Sequence, residues 1–118
     1  MAKQRPRFVH GHVYTPRATK EYEALICSEF TKRYGVPKVK GPIFIETVFK
    51  FRIPKTDKEH KEGDYYLHCP DLDNLQKAVL DALNGIAWED DKQVVFTRAK
   101  KIYSEYDGIE IHIIELGG

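Results

Sequence analysis

From Ile43 to Ile53 a nearly all-apolar set of residues alternates with a mostly polar one. Ile43, Ile45, Thr47, Phe49, Phe51 and Ile53 share one side of an extended chain, and Phe44, Glu46, Val48, Lys50 and Arg52 the other. That period of two predicts a long strand with a core face and a mostly polar face. Before it the period lengthens to that of a helix. Tyr22, Leu25, Ile26 and Phe30 form one apolar stripe on a helical stretch that opens at Thr15-Pro16 and runs to about Tyr34, where Gly35 and Pro37 stop it. Leu72, Leu75, Val79 and Leu83 make a second stripe, predicting a helix over Leu72–Leu83 closed by Asn84-Gly85. Shorter signals fill the remainder. Arg7–Tyr14 reads as a strand or hairpin around Gly11, Tyr65–Cys69 as a short strand, and Val94–Tyr103 and Gly108–Leu116 as closing strands separated by a turn. Between the long strand and the second helix, seven of the ten residues of Pro54–Gly63 are charged or histidine, so a mobile surface loop is expected there.

The order β-α-β-(β)-α-β-β predicts an α+β fold: a mixed β-sheet with two α-helices packed on one face, since one covered layer suits strands that alternate. The 118 residues fit a single domain, 1–118, with 42% apolar and 31% charged side chains, enough to build a core without disulfides or metal. No apolar run approaches a membrane span, and the basic start Met1–Arg7 lacks the apolar stretch of a signal peptide. Cys27 and Cys69 sit in no paired-cysteine motif, so a reducing cytoplasm is expected. The net charge of +1 hides a polarity. Residues 1–40 hold nine Lys/Arg against three Asp/Glu, and residues 71–118 hold five against ten. Clustered basic charge suits phosphate, and clustered carboxylates suit a divalent cation.

The candidate chemistry lies at the second helix. In Pro70-Asp71-Leu72-Asp73-Asn74-Leu75-Gln76-Lys77, Asp71 is placed as an N-cap with extended dihedrals and Asp73 in the first turn, which lets both point into one space. Lys77 follows Asp73 by one turn on the same helix face. A second acidic group, Trp88-Glu89-Asp90-Asp91, comes just after the helix stop. For it to meet Asp71, the connection Ile86–Asp91 has to run back along the helix, a distance that six extended residues can span. Four converging aspartates would repel one another without a cation, and such hard oxygen donors suit Mg²⁺, or Mn²⁺ as a substitute. The spacing fits neither an EF-hand nor a zinc site, and no phosphate-loop or dinucleotide fingerprint occurs, so no organic cofactor is expected. Each residue also has a plain structural use: Asp71 as a helix cap, Asp73 with Lys77 as a surface ion pair, Asp90 or Asp91 as the cap of the next element.

This motif, continued by Asp81-Ala82-Leu83-Asn84 and Trp88-Glu89-Asp90-Asp91-x-Gln93-Val94, resembles the RusA family of Holliday junction resolvases. Arg5-Pro6-Arg7-Phe8 and Tyr14-Thr15-Pro16 look like the start of many phage and prophage members, so the resemblance covers nearly the whole chain. It implies a small homodimeric, Mg²⁺-dependent endonuclease that nicks four-way DNA junctions symmetrically in recombination or repair. By position, the metal-binding aspartates correspond to Asp71, Asp73 and Asp91, with Asp90 beside them, the essential lysine to Lys77, and a supporting asparagine to Asn74. Where some members carry a basic run before the first aspartate, this chain has Tyr66-Leu67-His68-Cys69-Pro70. DNA-backbone contacts are expected from Lys3, Arg5, Arg7, Arg17 and Lys20, together with Lys38, Lys40 and the loop lysines Lys55, Lys58 and Lys61. Two related nicks call for two sites about a two-fold axis, and the alternating strands and the Tyr22–Phe30 stripe offer apolar surface for a dimer. Two other readings use the same residues: a nuclease selective for other branched DNA, and a non-catalytic DNA-binding accessory protein.

Overall fold

The computed structural model describes residues 15–117 in full and the backbone of Phe8–His12. Strand β1 (Phe8–His12) leads to helix α1 (Lys20–Tyr34), strand β2 (Ile43–Arg52), helix α2 (Leu72–Leu83), a short 3-10 turn (Asp91–Gln93), and strands β3 (Val94–Ser104) and β4 (Gly108–Glu115). The strands form one mixed sheet in the order β1-β4-β2-β3. β2 runs parallel to β3, while β4 is antiparallel to β2 and to β1. The closing strands are therefore not neighbours. The turn between them carries the chain across the end of β2, where the Arg52 N–H donates to Asp107 Oδ1 (2.8 Å) and the Ile53 N–H to the Ser104 carbonyl (3.0 Å).

The alternation of β2 is realised residue by residue. Ile43, Ile45, Thr47, Phe49 and Phe51 are buried, and the residues between them are half-buried on the open face. Onto the buried face pack Tyr22, Ile26 and Phe30 of α1 and Leu75, Val79 and Leu83 of α2, so both helices cover one side. Each large side chain sealed in this way contributes about 1.5–3 kcal/mol of transfer free energy. Tyr22, Ile26 and Phe30 of the α1 stripe are thus spent in the core, while Leu25 stays half-buried.

Four local expectations change. β1 is a plain strand in which Gly11 pairs with Glu110, so no hairpin turns there, and Val13 and Tyr14 lie outside the described residues. Helix α1 starts at Lys20 rather than at Thr15-Pro16. Thr19 caps it by accepting the Tyr22 N–H (3.1 Å), while the Thr15 hydroxyl donates to Asp107 Oδ2 (2.7 Å) and holds the preceding segment against the β3–β4 turn. The Tyr65–Cys69 stretch reduces to one bridge, Tyr65 with Ile102, because the Tyr66 ring folds flat onto Phe51 at a centroid distance of 3.9 Å. The charged loop is tied down. Asp57 accepts the backbone N–H groups of Glu59 and His60, and the His60 ring stacks on Tyr103 at 4.2 Å.

Candidate active site

Helix α2 lies over β3 and runs against it. Lys101 Nζ donates to the carbonyls of His68 (2.6 Å) and Pro70 (2.8 Å), fixing the start of the helix near the far end of β3. One turn and a half along, Gln76 Nε2 donates to the Thr97 hydroxyl. The Asp71 backbone is extended (φ −66°, ψ 146°) at the N-cap, as the motif predicts, but its carboxylate makes no capping hydrogen bond. An N-cap aspartate ordinarily binds the N–H of the second or third helical residue. Asp71 is exposed, and so are Asp73, Asn74 and Lys77. Asp73 Oδ1 accepts the backbone N–H of Asn74 (3.0 Å), which orients the carboxylate and leaves its other oxygen outside that bond. This end of α2 gathers two carboxylates and a lysine in water-accessible positions, beside the positive ends of the helical N–H groups.

The second acidic group stands elsewhere. Trp88 is fully buried and bridges to Asn84, the residue that ends α2, and to Val39. The Lys38 and Val39 N–H groups donate to the Ile86 and Ala87 carbonyls, at 3.0 and 2.9 Å. These bonds hold the connection at the C-terminal end of α2, so it does not run back along the helix. Asp91 Oδ1 accepts the Trp88 indole N–H (2.9 Å). Asp90 serves as the cap of the 3-10 turn in a reciprocal capping box with Gln93. Twelve helical residues put about 18 Å between the two ends of α2, and so between the Asp71/Asp73 pair and the Asp90/Asp91 pair. Accordingly, no three His, Cys, Asp or Glu side chains among the described residues stand together as a metal-binding group. The donors are chemically right for a hard divalent cation; the fold of the chain does not bring them together.

Two residues organise these ends without having been singled out in the sequence. Lys101 has the pattern of an ordinary strand lysine, and its grip on Pro70 becomes visible only once α2 lies on β3. Gln93 receives the Glu89 and Asp90 N–H groups on its Oε1 (both 2.9 Å) and donates through Nε2 to the Val39 and Gly41 carbonyls (2.9 and 3.0 Å). Its place in the matched motif was the one available signal. Of the expected DNA contacts, Lys3, Arg5 and Arg7 lie outside the described residues. Arg17, Lys20, Lys38, Lys40, Lys55, Lys58 and Lys61 are all exposed. Lys20 pairs with Glu23 (3.5 Å) and Lys40 with Glu89 (3.7 Å). The loop lysines share the Asp71 end of the molecule, since the chain after them bonds to Tyr103 and Lys101.

Comparison with known proteins places this geometry. The family model "Endodeoxyribonuclease RusA" matches residues 1–114. The chain belongs to the RusA family. It is 32% identical over 105 residues to the Bacillus subtilis (strain 168) protein named "Uncharacterized protein YqaN", covering 82% of this chain and 72% of that one. It is also 44% identical over 48 residues to the Lactococcus phage r1t "Crossover junction endodeoxyribonuclease rusA", covering 40% of this chain and 37% of the phage protein. RusA membership makes this an endodeoxyribonuclease of a Holliday junction resolvase family, built as a mixed sheet with two helices on one face. Among its described residues, no helix is long and apolar enough to cross a membrane.

Proposed function

We propose that the protein is a divalent-cation-dependent endonuclease that resolves four-way DNA junctions by paired, symmetric nicks in recombination or repair, as a cytoplasmic homodimer. The supporting observation is the exposed carboxylate of Asp71 at a helix N-cap that it does not cap, within one turn and a half of Asp73 and Lys77. A carboxylate without its ordinary structural bond is available to a ligand. Asp71 and Asp73 would hold Mg²⁺ or Mn²⁺; Asp91, the third acid of the motif, is kept about 18 Å away at the other end of α2 by this chain's own fold, on the loop that Asp90 shapes. Such an ion, when bound, polarises a phosphodiester and lowers the pKa of an attacking water. Lys77 then places a fixed positive charge where the scissile phosphate gathers negative charge, an effect worth up to ~2–4 kcal/mol at a desolvated site. Asn74 supports Asp73 through its backbone N–H. Exposed Arg17, Lys20, Lys55, Lys58 and Lys61, with Lys3, Arg5 and Arg7 of the basic start, would follow the DNA backbone.

A synthetic four-way junction incubated with and without Mg²⁺ tests this. Symmetric nicked duplexes that appear only with the cation are expected. Equal or better cleavage of flaps and nicked duplexes in the same panel would move the substrate to other branched DNA. Retention of full nicking by Asp73→Asn would remove the proposed site.

A further inference from the structure

The face of the sheet turned away from the helices carries a cluster that the endonuclease reading does not use. Side chains of a strand point alternately to its two faces. β3 therefore presents Lys101 toward Pro70 and α2, and Phe96, Arg98 and Lys100 on the other side, where Phe96 stacks on Phe44 at 4.4 Å. The segment beside the end of β3 follows the same alternation. Tyr66 lies flat on buried Phe51, on the helix side, while its neighbour Tyr65, bridged to Ile102, stands 72% exposed at the rim of the open face. Tyr65, Arg98, Lys100 and Glu46 line a cleft there of about 210 Å³.

The residue types define a ligand. An exposed aromatic ring offers a stacking surface to any flat base, and two cations beside it suit the phosphate of the same nucleotide. Arg98 is 3.6 Å from Glu46, an exposed pair that contributes little in water, so its carboxylate partner can be exchanged for a phosphate. Lys50 is engaged by Glu110, which also lies 3.4 Å from His112, whereas Lys100 enters no ion pair among the described residues. The cleft is smaller than the ~300–1,000 Å³ of sites that enclose a drug-sized ligand, so it suits one unit of a longer molecule. Inside a duplex a base is shut between its neighbours, so that unit has to be unpaired.

We propose that this cleft binds an unpaired nucleotide of a DNA strand, its base stacked on Tyr65 and its phosphate held by Arg98 and Lys100. On the endonuclease reading, on which this rests, the cleft receives a strand that has lost its partner at the branch point. Asp64 and Tyr66 bond to the end of β3 that Lys101 ties to Pro70, so Tyr65 on the open face and Asp71 on the helix face lie to either side of one short segment. A strand opened beside Asp71 and Asp73 has only that segment to cross before a base meets Tyr65.

Binding of a fluorescein-labelled oligothymidylate, followed by anisotropy without divalent cation, tests the cleft apart from any nicking. Tyr65→Ala should weaken it about tenfold, the loss of one stacked base, and Tyr65→Phe should restore it. Lys100→Gln should flatten the fall of log affinity with log salt by about 0.7, one phosphate on a single strand. Both side chains are exposed, so neither change reaches the core. Tyr65→Ala should leave the affinity for a fully paired duplex unchanged. An equal loss on duplex, no binding of the oligomer by the wild-type protein, or wild-type affinity in both variants overturns the proposal. With iododeoxyuridine in the strand, irradiation should crosslink it to Tyr65, as fragmentation of the proteolytic peptide reports; a crosslink only elsewhere also overturns it. Free dTMP at the same nucleotide concentration should leave the oligomer bound, and its displacement would give the cleft to a free nucleotide instead of a strand. If no junction is nicked with Mg²⁺ while the oligomer crosslinks at Tyr65, the endonuclease reading fails and the cleft stands. Should nicking proceed with the crosslink elsewhere, the cleft alone fails.

Discussion

Asp71 and Asp90 occupy the same position relative to a helical turn and use it differently. Asp90 binds the Lys92 N–H at 3.0 Å within its capping box, whereas Asp71 binds no helical N–H. Removing a working cap costs roughly 1 kcal/mol, and a surface change away from such features stays within about 0.5 kcal/mol. Asp90→Ala should therefore lower the urea midpoint measurably. Asp71→Ala should leave it nearly unchanged and yet lower junction nicking by about a hundredfold or more, as loss of a ligand or charge at the reacting phosphate does. The opposite ranking would assign Asp71 to stability. A separate residue-scale effect concerns pH. The hydrogen bond from the His60 side chain, and then the N–H groups of His60 and Glu59, hold the Asp57 carboxyl down at about 2. A depressed carboxyl contributes order above its ordinary value of 3.8 that fades as pH falls through about 2. Asp57→Asn should open the 54–64 loop to protease at neutral pH, and carbon NMR of the Asp57 carboxyl should show its midpoint near 2.

At the scale of elements, β2 and α2 were readable to within a residue, because strict alternation and an unbroken stripe are local signals. What the sequence left open were decisions made by distant partners. The start of α1 depends on Thr15 being taken by Asp107, and the position of Asp90 and Asp91 depends on Trp88 and Gln93 being tied to Val39 and Gly41. Six residues are long enough to run back along α2, so length alone could not choose; the hydrogen bonds to the 38–41 segment choose. The site was accordingly legible as a set of residues and illegible as a place. Lys101 allows a test of how that place is held. Lys101→Met keeps an unbranched apolar side chain but removes the ammonium that donates to the His68 and Pro70 carbonyls and stands 5.7 Å from the Tyr66 ring centre. Loosening the approach to Asp71 should lower nicking tenfold to a hundredfold, the scale of a ~1 Å misplacement of a catalytic group, with a far smaller change in junction affinity. Equal losses in both would mean that Lys101 chiefly contacts DNA.

For the whole molecule, the question is how a chain of net charge +1 holds a polyanion. The answer lies in distribution. Asp90 and Asp91 sit at one end of α2, and the loop bearing Lys55, Lys58 and Lys61 returns to β3 at the other, next to Asp71 and Asp73. Arg98 and Lys100 of β3 line a cleft of about 210 Å³ on the open sheet face with Glu46 and Tyr65, and Glu46 is 3.6 Å from Arg98. Positive charge around the Asp71 end would draw a phosphate backbone toward carboxylates that otherwise repel it. Each phosphate neutralised releases condensed counterions, so the logarithm of affinity falls against the logarithm of salt with a slope of about −0.9 per contact. Replacing Lys55, Lys58 and Lys61 by Gln should weaken junction binding and flatten that slope by roughly two to three, whatever the junction sequence. Asp73→Asn, assayed without divalent cation, should leave the slope alone. If the triple variant kept the wild-type slope while losing affinity, the lysines would act by ordering the loop against Tyr103 rather than by touching phosphate, because a structural role carries no counterion term.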